Sequence, residues 1–428
     1  MRIAVWGINY APEHIGIAPC NVALCEYLLE EGCEVTMVTA FPYYPAWKKR
    51  AADARRIFQS ERLNGVRVLR CWHYVPRRVS TVKRILHEFS FVSLSFLRLL
   101  FIPRPDLLIV VSPPLLAGAL ARFFCMVKSG KYLLHLHDLQ PDAAINLGMV
   151  KSPVLIRALK TLESIAYHGA WRISAISAGM LDTLRKRGAE ESKLSYFPNG
   201  THPIIQAPRG QFRALNRFDR EKFLLVYSGN LGVKQGLQHL ILAMRSVVNP
   251  AIQLIICGEG AEKEGLLNSA SGLRNVYFKG VQEPMEYQKM VADTDLMVVS
   301  LTSGSGNSFF PSKLLSACAA GKPVLAICDF DSELATVVET NRFGVVVRPA
   351  DAEGLASQLE ALSRDPERLE KMGSAAKQFA DRFLWSRILE KFASEAEIQA
   401  RKSYKPKLEQ ESGVAGVTGE KRLAGADE

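Results

Sequence analysis

Between an apolar strand and the start of a helix, the segment VYSGNLGVKQGL at 226–237 places three glycines and one lysine. Phosphate binding is the chemistry that such a turn serves. Gly229, Gly232 and Gly236 let the backbone approach a ligand closely. The free N–H groups and the dipole at the following helix start favour a diphosphate, and Lys234 supplies counter-charge. The spacing is neither GxGxxG nor the P-loop pattern, so neither a dinucleotide fingerprint nor a P-loop kinase site is indicated. Tight backbone packing is the other reading of these glycines.

Other residues stand where strands end. Gly16 sits in the HIGIA turn after the first strand, and His137 and Asp138 close the run LLHLHD. A polar residue there either faces a ligand or packs and caps the next helix. His135 is read as packing, deeper in the sheet or on its other face. Gly258-Glu259-Gly260 makes a further strand-end turn, and Asp331-Ser332-Glu333 follows a strand and opens a helix. Asp331 or Ser332 then serves as N-cap, with a cleft-facing role left open.

The elements that position these residues alternate. Short apolar or β-branched runs at 2–9, 34–40, 66–72, 106–112, 131–137 and 172–176 are separated by helical periodicity, as at 18–31 and 155–168. That alternation predicts a parallel sheet covered on both faces. After the turn-like FPNGTHP at 197–203 it restarts, with strands expected at 223–228, 252–257, 275–279, 295–300, 323–327 and 344–347. Two doubly wound domains follow, 1–205 and 206–400, the second ending in a closing helix, with a ligand cleft at the strand ends. Residues 401–428 lack apolar periodicity and read as a disordered tail.

The 428 residues carry a net charge of +11, unevenly placed. Residues 1–210 hold 27 Lys and Arg against 15 Asp and Glu, and the remainder is balanced at 27 against 28. The first half therefore suits an anionic surface or substrate. Without a zinc-finger spacing, an RNP-like motif or a long basic helix, nucleic acid is not the expected partner. The run 77–104 puts Arg77, Arg78, Lys83 and Arg84 ahead of a Phe- and Leu-rich stretch. It is too short and too interrupted to span a bilayer, so it is either a buried helix or an interfacial one drawn to anionic lipid. The basic excess favours the membrane surface. Eight cysteines without a CxxC pair read as reduced core residues. MRIAVWGINY is already a strand rather than a signal peptide, so a cytoplasmic protein, peripheral on the inner face of the membrane, is expected.

Taken together, nine blocks resemble glycosyltransferase family 4, the retaining sugar-nucleotide enzymes with a two-Rossmann GT-B fold, and most closely its colanic-acid and exopolysaccharide branch. They are GINYAPEHIGIA (7–18), TAFPYYPAW (39–47), HLHDLQPD (135–142), SAISAGM (174–180), FPNG (197–200), SGNLGVKQGL (228–237), ICGEG (256–260), FPSKLLSACAAGKPVLA (310–326) and DSE (331–333). The resemblance runs from residue 1 to about 395. It implies an α/β, GT-B architecture and makes Gly16 the glycine loop where donor phosphates and acceptor meet. His137 becomes the histidine near the donor sugar, with Asp138 orienting it or meeting the acceptor, and these two are the candidate catalytic pair. Gly258, Glu259 and Gly260 would lie beside the nucleotide, Glu259 reaching a ribose hydroxyl.

The sequence also departs from the family. Its Glu-x7-Glu carboxylates fall on Ser308 and Ser316, and its diphosphate-binding Arg and Lys on Asn230 and Gln235. The PSK of the exopolysaccharide branch is present as Pro311-Ser312-Lys313, so Lys234 and Lys313 are placed to hold the diphosphate. Asp293-Thr294-Asp295 has a metal-binding DxD form but sits at a helix-to-strand junction, where carboxylates cap. Neither a metal nor a cofactor is expected, the nucleotide sugar being a co-substrate. The resemblance implies transfer of a UDP- or GDP-linked sugar, with retention, to a lipid-linked glycan acceptor. The alternatives are a catalytically inactive GT-B subunit that binds membrane or a partner transferase, suggested by the missing glutamates, and a nucleotide-sugar epimerase.

Overall fold

A computed structural model describes residues 1–398 apart from 15, 79, 141–151, 203–206 and 305–311, so Pro311 and the expected tail lie outside the described residues. The first half forms one eight-stranded sheet from β1 (Arg2–Trp6), β2 (Glu34–Ala40), β3 (Phe58–Leu63), β4 (Val66–Cys71), β5 (Leu107–Ser112), β6 (Tyr132–Leu136), β7 (Arg172–Ala175) and β8 (Leu194–Tyr196). Its order is β3-β4-β2-β1-β5-β6-β7-β8. The second half forms β9 (Phe223–Ser228), β10 (Ile252–Cys257), β11 (Val276–Lys279), β12 (Leu296–Ser300), β13 (Val324–Ile327) and β14 (Gly344–Val347), in the order β11-β10-β9-β12-β13-β14. Central strands such as β5 and β10 are buried along their whole length, as parallel strands covered on both faces must be. The winding reverses between β1 and β5 and between β9 and β12, and the loops after those strands open the crevices where such sheets receive ligands.

All twelve expected strands are present, and two more appear. β3 pairs antiparallel with β4 and alternates exposed with half-buried residues, so the first sheet is mixed rather than wholly parallel. Its sequence FQSERL offers no apolar run to read. β8 has only three residues.

Helices Thr81–Leu100, Leu115–Lys128, Pro153–Gly169 and Ala178–Lys186 share one core with the first sheet and cover one of its faces. Helix Ala18–Glu30 covers the other, beside the last described helix, Trp385–Glu395. That last helix, expected as the closing piece of the second domain, crosses back. Trp385, Ile388, Leu389 and Phe392 pack with Ile3, Val5, Leu24 and Leu28, and Phe392 stacks on Phe197 at 4.1 Å. The crossing is pinned where Thr201 N–H donates to the Phe383 carbonyl at 2.8 Å and Trp385 N–H to the Thr201 carbonyl at 3.1 Å. All eight cysteines are free thiols, seven of them buried.

Candidate active site

The glycine turn after β9 is built against its neighbours. Gly229 has φ +148°, and a Cβ there would collide with Lys313 Nζ, so the glycine makes room for an ammonium. Lys313, in the first turn of helix Ser312–Ala319, donates to the Tyr227 hydroxyl and lies 4.0 Å over the Tyr227 ring. Burial pulls its pKa down to about 7, because the ammonium has left water without gaining a carboxylate. Tyr227 in turn donates to the Asn230 carbonyl at 2.6 Å. Ser316 lies half-buried on the same helix; of Ser312, only its place at the helix start is described.

The residues at the family's usual Arg and Lys positions brace this loop. Gln235 is buried, and its side-chain oxygen accepts from Gly232 N–H at 3.2 Å and from Asn230 Nδ2 at 3.4 Å. Gln235 thus turns inward, whereas the sequence placed it toward the donor. Across the crevice, Ser300 donates to the Gln235 carbonyl at 2.6 Å and Thr302 N–H to the Lys234 carbonyl at 2.8 Å. Lys234 is thereby held at the switch point between β9 and β12.

The Gly258-Glu259-Gly260 turn packs on that loop. Gly258 has φ +145°, and a Cβ there would collide with the Gly229 carbonyl oxygen. Gly229 N–H donates to Cys257 and Leu231 N–H to Glu259, both at 2.9 Å. Loop-on-loop packing therefore accounts for these glycines, without appeal to a ligand. Glu259 pairs with Lys263 at 2.6 Å.

On the facing wall, β6 delivers the histidines. The His135 and His137 rings lie 4.5 Å apart, so they share a face, as residues two apart on a strand must, and His135 is the deeper. His135 Nδ1 pairs with Ser174 Oγ at 2.9 Å, which makes it a packed core residue. His137 N–H donates to the Ser112 carbonyl at 2.9 Å, while its Nε2 is buried without a hydrogen-bond partner among the described residues. Burial pulls its pKa down to about 3, so the ring is neutral at physiological pH. Asp138 Oδ2 lies 3.6 Å from Lys234 Nζ across the cleft, and its Oδ1 is buried without a hydrogen-bond partner among the described residues. Burial raises the Asp138 pKa, opposed by Lys234 and Arg84.

Gly16, at φ +72°, is exposed, and the loop before it is tied down by a residue that the sequence reading missed. Glu13 is buried, accepting from Tyr43 and Tyr44 N–H and from Asn9 Nδ2, each at 2.8 Å. The signal was a carboxylate inside the apolar block GINYAPEHIGIA. Glu333 answers the question left at DSE: Ser332 caps its helix, and Glu333 accepts from Ala178 and Gly179 N–H of the first half at 3.0 and 3.1 Å. It seats a carboxylate on the other half's helix start. The DxD carboxylates are engaged internally. Asp293 accepts from Gly210 and Arg213 N–H, and Asp295 from Leu224 N–H and the Arg213 guanidinium.

Two doubly wound domains that face one another across a lysine- and glycine-lined cleft define the GT-B glycosyltransferases. Residues 16–200 match the glycosyl transferase 4-like domain and residues 209–379 the glycosyl transferases group 1 model. The chain is 30% identical to the putative colanic acid biosynthesis glycosyl transferase WcaI of Escherichia coli K12, over 90% of this chain and 96% of that one. It resembles solved structures of sucrose-phosphate synthase from Thermosynechococcus elongatus (TM-score 0.71, 19% identity, 92% and 98% of the chains covered). It also resembles Anabaena HepE in complex with UDP-glucose (TM-score 0.69, 16% identity, 93% and 99% covered). The chain belongs to this group 1, family 4-like set of glycosyltransferases.

Proposed function

We propose that this protein transfers a sugar from a nucleotide diphosphate to a lipid-linked glycan in cell-surface polysaccharide assembly, with retention and without a metal. The observation that carries the reading is Lys313: a half-buried lysine, seated at Gly229 beside the Lys234 loop, whose only hydrogen-bond acceptor is a tyrosine hydroxyl among the described residues. An anion in that crevice would complete it. The glycosidic carbon–oxygen bond to the diphosphate breaks on the face where the acceptor oxygen bonds, and a diphosphate oxygen takes the acceptor's proton. Lys234, Lys313 and the Gly232 N–H stabilise the charge on the departing nucleotide. Neutral His137 offers a polar edge to the sugar, and Asp138 meets the acceptor. The structure of HepE with UDP-glucose makes UDP the first donor base to try, with GDP second. We place the protein at the cytoplasmic face of the membrane, where a lipid-linked acceptor is available.

The test is transfer by the purified protein, after a thermal-shift screen of UDP- and GDP-sugars. A product with the donor's anomeric configuration supports retention, and an inverted product sinks it. Donor binding with neither transfer nor hydrolysis would return the chain to an inactive subunit. Turnover should survive excess EDTA; its loss, with restoration by Mg²⁺ or Mn²⁺, would overturn the metal-free mechanism.

A further inference from the structure

Three adjacent helices on the outer side of the first sheet leave apolar side chains in water. Helix Thr81–Leu100 buries His87, Phe91 and Leu99 yet exposes Val82, Ile85, Leu86, Phe89 and Leu97, with Phe101 beyond its end. Leu115–Lys128 exposes Phe123, Met126 and Val127, and Pro153–Gly169 exposes Val154 and Ile165. The Phe96 and Phe123 rings, 6.1 Å apart, join the first helix to the second, and Gly118 packs against Ala166 to join the second to the third. These eleven make up half of the twenty-two exposed large apolar residues among those described. A monomer in water scatters such residues singly.

The charge around them has one sign. The three helices carry seven Lys and Arg and two acids. Glu88 accepts from Gln140 at 3.0 Å and pairs with Arg84 at 3.4 Å, and Glu163 is buried against Tyr167 and Arg187. An apolar face on helices with an excess of bases matches an anionic bilayer, which offers both hydrocarbon and negative headgroups. No helix among the described residues is long and apolar enough to cross a membrane, so contact through this face would be peripheral. The face also leads to the cleft. Arg84 and Glu88 share their turns with Ile85, Leu86 and Phe89, and Gln140, bonded to Glu88, stands two residues after Asp138.

We infer that this three-helix face docks on anionic lipid, and that its cleft end admits the acceptor lipid to Asp138 with Arg84 meeting the lipid's phosphates. The docking stands on the surface alone; the admission rests on the proposed transferase reaction. The docking test uses cosedimentation with vesicles of phosphatidylcholine, with or without about a third phosphatidylglycerol. The full chain should bind the anionic vesicles at least tenfold better. Changing Phe123, Met126 and Val127 together to Ser, or Arg122 and Lys128 together to Gln, should cut that binding at least fivefold with an unchanged melting temperature and unchanged nucleotide diphosphate affinity. Equal binding to both vesicles, unchanged binding by both variants, or a dimer in sedimentation equilibrium that both variants dissolve would overturn docking. The admission test uses Ile85→Ser with Phe89→Ser. It should slow transfer to an acceptor embedded in vesicles at least fivefold and leave transfer to a short-chain, water-soluble acceptor unchanged. Equal slowing with both acceptors would overturn the admission role. Vesicle binding without transfer to either acceptor by the unmodified protein would remove the transferase reading, and admission with it, while the docking face stands.

Discussion

The two halves of the molecule bury different titratable groups. The first half buries four imidazoles, His73, His87, His135 and His137, all held below the ordinary histidine pKa by burial. The second half desolvates two ammoniums, half-buried Lys313 at about 7 and buried Lys322 at about 8. An imidazole loses its proton cheaply near neutrality, so packing it costs little; a buried lysine gives up much more and must be held for a reason. Lys322 has a structural one, donating to the Ala292 and Thr294 carbonyls at 2.8 and 2.7 Å at a helix end. Lys313 meets only Tyr227 among the described residues. The contrast separates a lysine that holds the fold from one poised for an anion.

Removing one group from each wall should separate their roles most clearly. His137→Ala should lower turnover about a hundredfold or more, the scale for one positioned polar group in a transition state. Nucleotide diphosphate affinity should stay within about twofold, and stopped assays with equilibrium binding separate the two. Lys313→Ala should do the reverse, weakening a nucleoside diphosphate roughly ten- to hundredfold, the worth of one charge-assisted contact, while barely touching the nucleoside. Equal weakening of both ligands would remove Lys313 from the phosphates. Diphosphate binding should also weaken as pH rises through about 7, because the free site must take up a proton there, and this slope should vanish in the variant.

Acid should next tell the halves apart. The unfolded imidazoles take up protons near pH 6.5, whereas the folded ones wait until about 4 for His87 and about 3 for His137. The first half therefore loses stability as pH falls below about 6.5. Glu13 and Asp138, raised by burial, act in the opposite direction, two carboxyls against four imidazoles. The lowered lysines make the second half gain stability as pH rises from about 7 toward 10.5. Trp6, Trp47, Trp72 and Trp171 lie in the first half, and Trp385 packs on it. Fluorescence melting should consequently shift down ahead of the far-ultraviolet dichroism between pH 7.5 and 5; coincident shifts would contradict the assignment. The smallest effect is expected of Glu333→Gln, which keeps the shape but loses the charge and one of the two accepting oxygens on the Ala178–Lys186 helix start. It should cost about 0.3–1 kcal/mol of the closed arrangement, seen as a modest opening by small-angle scattering.

Local pattern made much of this legible. The apolar runs marked twelve strands because parallel strands bury both faces, whereas polar β3 and three-residue β8 draw their stability from neighbours and leave no such mark. Lys313 could be picked out from its motif, but its Tyr227 seat joins residues 86 apart. Glu13 escaped, and the role of Glu333 stayed open, for the same reason: a carboxylate's meaning lies in the N–H groups it finds, here 30 and 155 residues away. The face proposed to dock on lipid was visible in one helix, yet its breadth depends on three helices brought together by the sheet.

The chain passes between the halves twice, and the two passages lie side by side, bonded through Thr201, Phe383 and Trp385, with Gly200 pressed so close to the Trp385 ring that no Cβ would fit. Two parallel tethers resist twisting in a way that a single strand does not. The doubled tether therefore keeps the second half's lysines in register with the first half's histidine wall, Lys234 and Asp138 standing 3.6 Å apart.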